Sequence, residues 1–309
     1  MKKVIFVGGT AYSGSTFFHM ILAHDPAGFA CGEIRWLFHP HQPHHVNRVC
    51  GCGDPSCMLW REVLRNGEEN LYKTIFDLHP EVEFIVDSSK HPFWIRSQSD
   101  QLRRQGIQPK HILIWKTPLE FAHSTKKKNR LKNWDVEWLN YHRLYFSLVE
   151  QWRSVRYAAF TQEPTMLAKV CEQMDIPYFA GKEQYWNKIH HVYGGNRSAR
   201  FHLYEQDKAQ EMLAETADEA KMNEYRSIYY NDVADRELEA LVKQSFAKHK
   251  LFQPVLESLT AHSVANGATA PQDVTHLELP ALLIHLRKLK YWATDQISYY
   301  KYGRALAGI

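Results

Sequence analysis

The sequence of 309 residues has no apolar run long enough to cross a bilayer. Its first apolar run is short and stops at Gly8. We therefore expect no transmembrane segment, no export signal and a cytoplasmic protein. Only five cysteines are present, an odd number, so a disulfide framework is not expected. The formal net charge is only +4, which gives no reason to expect nucleic acid as a partner, although mild basicity suits an anionic ligand. The composition, 44% hydrophobic and 23% charged, is that of an ordinary globular protein.

Small residues dominate a loop near the N-terminus, between an apolar stretch and a helical pattern. Residues 4–7 have the length of a buried strand, and apolar residues with helical spacing start at Phe17. Glycines let the backbone approach an anion closely, and the first N–H groups of the following helix point at it. We therefore predict a phosphate site in this loop, formed by Tyr12, Ser13, Gly14, Ser15 and Thr16.

The loop is close to a Walker A motif, with Gly9 and Gly14 correctly spaced, but Ser15 stands where an NTPase has lysine. Without that lysine, a β- or γ-phosphate loses its main cation. The order Ser13-Gly14-Ser15-Thr16 after an apolar strand instead resembles the 5′-phosphosulfate-binding loop of sulfotransferases that use 3′-phosphoadenosine-5′-phosphosulfate.

This resemblance implies an α/β protein of the P-loop NTPase-like sulfotransferase fold. Its fold is a three-layer sandwich in which a central parallel sheet has helices on both faces and ligands at the carboxyl ends of its strands. The implied reaction is in-line transfer of a sulfuryl group from 3′-phosphoadenosine-5′-phosphosulfate, the co-substrate, to a hydroxyl or amine of a small-molecule or carbohydrate acceptor. No metal is required for this reaction.

Two later segments supply the catalytic residues that the resemblance implies. Glu33 follows Gly32 in a loop where sulfotransferases often place a glutamate that takes the proton of the acceptor. The alternative for Glu33 is an exposed glutamate paired with Arg35. The order Ser89-Lys90-His91-Pro92-Phe93 resembles the segment whose lysine lies beside the bridging oxygen of the co-substrate. Lys90 is therefore the expected catalytic lysine.

The 3′-phosphate of the co-substrate has its own expected contacts. Lys116 ends a predicted strand and Ser124 follows eight residues later, the separation at which the family has an arginine and a serine for this phosphate. Lysine keeps the charge of arginine but loses the bidentate fork. Residues 155–160 are predicted to form a further strand, whose tyrosine contacts the nucleotide in the family. The remaining residues implied by the resemblance are Tyr157, Asn196, Arg197 and Arg200.

One departure from the family leaves two other functions open. The position before Ser13 is commonly basic in sulfotransferases but is Tyr12 here. Either Lys90, Arg35 or a later arginine supplies the charge, or Tyr12 donates a weaker hydrogen bond, or activity is low. A protein that binds the nucleotide without catalysis is therefore an alternative. A kinase or NTPase is the other, because Asp87 at the end of an apolar run suits a magnesium ligand.

A run rich in histidine and cysteine covers residues 39–60. Cys50, Cys52 and Cys57 together with one imidazole match the donor set of tetrahedral zinc, although the first two thiols are closer in sequence than in standard knuckles. A packed cysteine loop without metal is the alternative that we favour on sequence alone. The histidines in this run are His39, His41, His44 and His45.

The chain is expected to contain a sulfotransferase domain at residues 1–253, a linker at 254–274 and a helical extension at 275–309. A helix is predicted over residues 280–302. Its open roles are formation of a homo-oligomer, a cap over the acceptor site and binding to a membrane surface.

Five aromatic residues between 134 and 152 lie on one helical stripe, and basic residues at 126–130 form either a solvated helix face or a patch that attracts anions.

Overall fold

A computed structural model describes residues 1–46, 50–195, 235–267 and 273–306. The strands are β1 (Lys3–Gly8), β2 (Gly28–Gly32), β3 (Phe84–Lys90), β4 (Gln108–Trp115) and β5 (Trp152–Arg156). The α-helices of the first half are α1 (Ser15–Leu22), α2 (Arg35–Phe38), α3 (Leu59–Arg65), α4 (Leu71–Leu78), α5 (Pro92–Arg104) and α6 (Pro118–Lys126). They are followed by α7 (Trp134–Leu148), α8 (Tyr157–Gln162), α9 (Met166–Met174), α10 (Arg236–Lys248), α11 (Phe252–Ala261) and α12 (Ala281–Leu306).

The five strands form one sheet in the order β2-β3-β1-β4-β5. Every neighbouring pair is parallel, so the carboxyl ends of all five strands meet at one edge. The central strand β1 has β3 on one side and β4 on the other, which is the point where the strand order reverses. In open parallel sheets this is the place where ligands bind.

Alternating residues of β1 pack on opposite faces of the sheet, which explains why the whole strand is apolar. Val4 and Phe6 belong to a cluster with helices α3 to α7, α10 and α11, whereas Ile5 and Val7 belong to a cluster with α1, α8 and α9. All four side chains are fully buried. The sheet is therefore the middle of three layers, and the predicted fold class is confirmed, including a helical C-terminal region.

The predicted C-terminal helix is present as α12, which is 26 residues long. It packs through Ile284 and Tyr291 against Phe93 of α5 and Leu144 of α7. Among the described residues, we find no helix whose length and apolar character would let it cross a bilayer.

Several segments differ from the sequence-based expectation. Residues 28–32 form β2 where a loop was expected, and Trp152 begins β5 instead of lying on the helical stripe of α7. The strand expected at residues 155–160 ends at Arg156, and Tyr157 begins the short helix α8, in which two alanines favour helix. The first part of the expected linker is helical, because Phe252, Val255 and Leu259 form an apolar face of α11 that is fully buried in the core. The division into domains remains a prediction.

Candidate functional site

All five strands point their carboxyl ends at residues singled out from the sequence. The phosphate loop follows β1 and Glu33 follows β2, while Lys90 is the last residue of β3. Lys116 follows β4 and Tyr157 follows β5. The parallel sheet thus brings together segments that are more than a hundred residues apart in the chain.

The loop after β1 has the backbone shape of an anion cradle. Tyr12 has a φ of 63° and Gly14 a φ of 88°, both in the left-handed region. Gly14 is the N-cap of α1, and no side chain caps this helix end. A Cβ at Gly14 would overlap the ring of Tyr157. Glycine is therefore required here by the backbone conformation and by the close approach of the tyrosine.

A buried hydroxyl tests whether this loop fits a phosphate. The side chain of Ser13 is fully buried, and its Oγ has no hydrogen-bond partner among the residues that the structure describes. An unpaired buried hydroxyl costs free energy, and an anion oxygen would satisfy it. The first N–H groups of an α-helix likewise lack acceptors within the helix and attract anions. The residues of the loop fit the 5′ end of a phosphorylated nucleotide.

Glu33 and Lys90 form an ion pair at the ends of the neighbouring strands β2 and β3. The Lys90 ammonium donates to Glu33 Oε1, and the Trp36 indole donates to Glu33 Oε2 at 3.0 Å. Each charged side chain is about one-fifth exposed. The two residues that the sequence predicted to be catalytic are thus in direct contact and open to solvent, and the expected alternative pairing of Glu33 with Arg35 is wrong.

Tyr141 of α7 connects this pair to the phosphate loop. Its hydroxyl accepts a hydrogen bond from the Gly9 amide at 2.6 Å and donates one to the carbonyl oxygen of Lys90 at 2.7 Å. Lys90 itself has a φ of 65°, which is strained for a residue with a side chain. Tyr141 therefore holds Lys90 in this conformation beside the loop. The sequence showed this tyrosine only as part of an aromatic stripe.

Lys116 and Ser124 also lie together as predicted. The Lys116 Nζ donates to Ser124 Oγ at 3.1 Å and lies 4.9 Å from the ring centroid of Tyr157. Burial of the lysine lowers its pKa to about 7, although the charge of Glu120 opposes this. Since the same Tyr157 ring packs on Gly14, the loop after β1 and the Lys116–Ser124 pair share one wall.

The side chain of Arg130 brings a positive charge to Tyr12, the loop position where a basic residue was expected. Arg130, from the turn between α6 and α7, donates to the hydroxyl of Tyr12 at 3.2 Å, with its guanidinium 5.9 Å from the centroid of the ring. Arg35, another predicted substitute, is instead buried. It forms an ion pair with Asp295 of α12 and donates to the hydroxyl of Tyr291 at 3.0 Å. Of these two arginines, Arg130 is the one that lies at the loop.

The carboxylate of Asp87 is occupied by donors of the protein. Its Oδ2 accepts from the Tyr72 hydroxyl at 2.6 Å and from the Trp94 indole at 2.9 Å, and its Oδ1 accepts from the Ser89 amide at 2.6 Å. Burial raises the pKa of Asp87 while these hydrogen bonds oppose the rise. A magnesium ion would have to displace these donors in the core, which disfavours the kinase alternative.

Helix α12 closes one side of the site. Besides its contacts with Arg35, Tyr291 stacks on His91, the residue after Lys90, with ring centroids 4.4 Å apart. The helix therefore contacts His91, which follows Lys90, and Arg35, which lies two residues after Glu33. At least half of the surface is exposed in four of its apolar side chains, those of Leu282, Leu286, Leu289 and Trp292.

Other sequence-based expectations fall outside this site. Asn196, Arg197 and Arg200 lie outside the described residues. The three cysteines at 50–57 are grouped with His191, and none of the histidines at 39–45 belongs to this group.

A cavity of about 550 Å³ lies between α1, α8 and residues 178–183, and none of the predicted site residues lines it.

No protein-family model and no curated protein matches the chain. Among the solved structures that are similar to it are two sulfotransferase domains. One is the sulfotransferase domain from the curacin biosynthetic pathway, with 16% identity and a TM-score of 0.44, covering 65% of this chain and 83% of that domain. The other is the sulfotransferase domain from the olefin synthase of Synechococcus PCC 7002, with 15% identity and a TM-score of 0.48, covering 79% and 95%. The residue roles proposed below depend on contacts within this chain.

Proposed function

We propose that the protein is a sulfotransferase that transfers a sulfuryl group from 3′-phosphoadenosine-5′-phosphosulfate to a hydroxyl or amine of a small-molecule or carbohydrate acceptor. The observation that carries the proposal is the Glu33–Lys90 ion pair, which Tyr141 holds against the phosphate loop. A base and a cation in contact beside an anion site are the groups that in-line transfer to a neutral nucleophile needs.

In the proposed mechanism the phosphosulfate, when bound, supplies an activated sulfur with a nucleotide phosphate as the leaving group. Glu33 accepts the proton of the acceptor as the new bond to sulfur forms. Lys90 turns from Glu33 toward the bridging oxygen and stabilises the negative charge that the leaving phosphate takes with the electron pair of the broken S–O bond. The products are the sulfated acceptor, 3′-phosphoadenosine-5′-phosphate and a proton on Glu33.

The remaining residues bind the nucleotide. Ser13 Oγ and the amides at the start of α1, from Gly14 to Thr16, hold the 5′-phosphate, and Tyr157 forms the wall beside it. Lys116 and Ser124 hold the 3′-phosphate as an ammonium and a hydroxyl. Arg130 supplies through Tyr12 the positive charge that this loop otherwise lacks.

Isothermal titration calorimetry tests the nucleotide site first. We expect 3′-phosphoadenosine-5′-phosphate to bind without magnesium, and Lys116→Met to weaken this binding about tenfold to a hundredfold because a charged hydrogen bond is lost. Lys128→Met, at an exposed position of the same basic run, is the matched control and leaves the affinity unchanged. Binding of ATP only with magnesium, without affinity for the bisphosphate, would reject the proposal.

Turnover separates the sulfotransferase from a protein that only binds the nucleotide. We expect slow release of sulfate from the phosphosulfate alone and faster transfer in a screen of hydroxyl and amine acceptors. Bisphosphate binding with no transfer in that screen and no effect of Glu33 substitution on the basal release would favour the non-catalytic alternative. A homo-oligomer formed through α12 remains a prediction, for which light scattering of the full chain is the measurement.

A further inference from the structure

Three thiols and one imidazole meet at a place away from the ends of the strands. Cys50, Cys52 and Cys57 come from the loop before α3, and His191 comes from a segment more than 130 residues later. The Nδ1 atom of His191 lies 3.4 Å from Cys50 Sγ and 3.6 Å from Cys57 Sγ. All four ligand atoms lie within 4.8 Å of one another.

These distances match the edges of a small coordination tetrahedron. Zn–S bonds of about 2.3 Å and Zn–N bonds of about 2.0–2.1 Å place the nitrogen about 3.6 Å from each sulfur and the sulfurs about 3.8 Å apart. Three thiolates with one imidazole form a donor set that is soft enough to select zinc over magnesium or calcium. Among the described cysteines, no two are joined by a disulfide, so all three thiols of the cluster are present for coordination.

Backbone contacts join the two segments that carry the cluster. The Gly51 amide donates to the Val192 carbonyl at 3.0 Å, and a Cβ at Gly51 would lie 2.8 Å from the carbonyl oxygen of His190. Only glycine between the first two cysteines lets the two segments approach so closely. The His191 ring is further fixed by stacking on Phe29, with ring centroids 6.0 Å apart and an interplanar angle of 3°.

From this arrangement we propose that Cys50, Cys52, Cys57 and His191 bind one zinc ion. The site is structural, because four protein ligands complete a tetrahedron and leave no position for a substrate. This inference goes beyond the proposed transfer reaction and does not depend on it.

The ion would fix a segment that borders the candidate active site. Tyr193, two residues after His191, accepts a hydrogen bond from the Glu33 amide at 2.8 Å and donates its own amide to the Cys31 carbonyl at 2.9 Å. Farther along, a Cβ at Gly195 would lie 2.9 Å from Thr16 Cγ2. Zinc bound at His191 therefore ties the cysteine loop to the residues that back Glu33 and the phosphate loop.

Metal analysis of the full chain tests the proposal. Protein produced in zinc-supplemented medium and purified without chelators is expected to contain about one zinc ion per chain by plasma mass spectrometry. Cys52→Ser and His191→Asn are expected to lose most of this zinc. Cys171→Ser, which changes a cysteine in the core on the other side of the sheet, is the matched control and retains it. Equal zinc content in all three variants would overturn the proposal.

A titration of the wild type keeps the test decisive where a variant fails to fold. Cobalt(II) added to the reduced, metal-free chain is expected to produce the intense visible absorption of tetrahedral thiolate coordination, at a stoichiometry of about one per chain. Zinc is expected to displace this signal and to raise the melting temperature, whatever the catalytic activity. Reduced wild-type chain that gives no such absorption and retains no zinc would overturn the proposal.

Discussion

The hydroxyl of Tyr141 donates a hydrogen bond to the carbonyl oxygen of Lys90 at 2.7 Å, and in this way a residue of α7 fixes the backbone of the proposed catalytic lysine. The same hydroxyl accepts from the Gly9 amide at 2.6 Å. One oxygen atom thus sets the distance between the first turn of the phosphate loop and the end of β3. Lys90 has a strained backbone conformation, and the hydrogen bond from Tyr141 to its carbonyl oxygen helps to maintain it.

We predict that Tyr141→Phe lowers turnover more than it lowers nucleotide affinity. The variant leaves a buried amide and a strained carbonyl without their partner, at a cost of about 1–3 kcal/mol in the free energy of unfolding. Lys90 then relaxes away from the loop, and a displaced cation loses charge stabilisation in the transition state rather than in the ground state. Chemical denaturation and steady-state kinetics measure the two effects.

Tyr145 provides a matched control one helical turn away. Its hydroxyl is buried and has no hydrogen-bond partner within the described part of the chain, so Tyr145→Phe removes the same atom without breaking a described bond. We expect this variant to be as stable as the wild type or more stable, with unchanged kinetics. Equal losses in the two variants would show that the hydroxyl of Tyr141 has only a packing role.

A second prediction concerns the proposed base. Glu33→Gln keeps the shape of the side chain and its contact with Trp36 but removes the group that accepts a proton, so we expect turnover to fall by about 10²–10⁴-fold. Affinity for 3′-phosphoadenosine-5′-phosphate should stay within about threefold, because Glu33 does not contact the nucleotide phosphates in the proposed mechanism. The control is Glu62→Gln, which breaks a surface ion pair with Arg65 and leaves turnover unchanged. A full rate in Glu33→Gln would exclude this residue as the base.

The fold could be predicted from the sequence, and several residues that the sequence singled out lie close together because the sheet is parallel. The predicted strands β1, β3 and β4 lead into polar residues, and parallel strands put those residues at one edge. The segment before Glu33 was expected to be a loop, whereas it forms β2, and for this reason Glu33 and Lys90 meet although 57 positions separate them. Lys116 and Ser124 were singled out because their separation of eight residues resembles that of a known family, and the structure brings them into contact across the turn and most of α6.

The sequence did not predict contacts between residues that lie far apart in the chain. Tyr141 was one aromatic residue among several on α7, and only its depth in the fold places its hydroxyl between two backbone groups. His191 is the clearest case, because the cysteine pattern pointed to nearby histidines, whereas the fold groups the three thiols with an imidazole 134 positions beyond Cys57. The pairing of Arg35 with Asp295 likewise depends on where α12 docks, which no local pattern encodes.

A third prediction tests the close approach at the phosphate loop. Gly14→Ala places a methyl group into the ring of Tyr157 and forces an alanine into the left-handed region, so we expect loss of nearly all bisphosphate binding. Gly106→Ala is the control, because Gly106 also has a positive φ, 71°, but no atom lies within 4 Å of its added Cβ. Both variants should lose about 1–2 kcal/mol of stability from backbone strain. Only the first should lose affinity in calorimetry, and equal affinities in both would mean that this loop does not bind the nucleotide.

The pH dependence of binding tests the role of Lys116. Burial lowers the pKa of this lysine to about 7 in the free protein. A phosphate beside it would favour the ammonium and raise the pKa in the complex, so the lysine takes up a proton on binding. Affinity for the bisphosphate is then highest below pH 7 and falls as the pH rises from about 7 toward the pKa of the complex. The phosphate does not produce this fall, since it is already a dianion above its second pKa of about 6.

Lys116→Arg is the matched variant for this prediction. Arginine stays charged over the whole range, so the fall in affinity above pH 7 should disappear together with the proton uptake. Calorimetry in buffers of different ionisation enthalpy measures that uptake directly, and we expect a fraction of a proton per bisphosphate near pH 7, rising toward one above it, for the wild type and almost none for the variant. The same uptake in both proteins would assign the proton to another group and would remove Lys116 from the 3′-phosphate site.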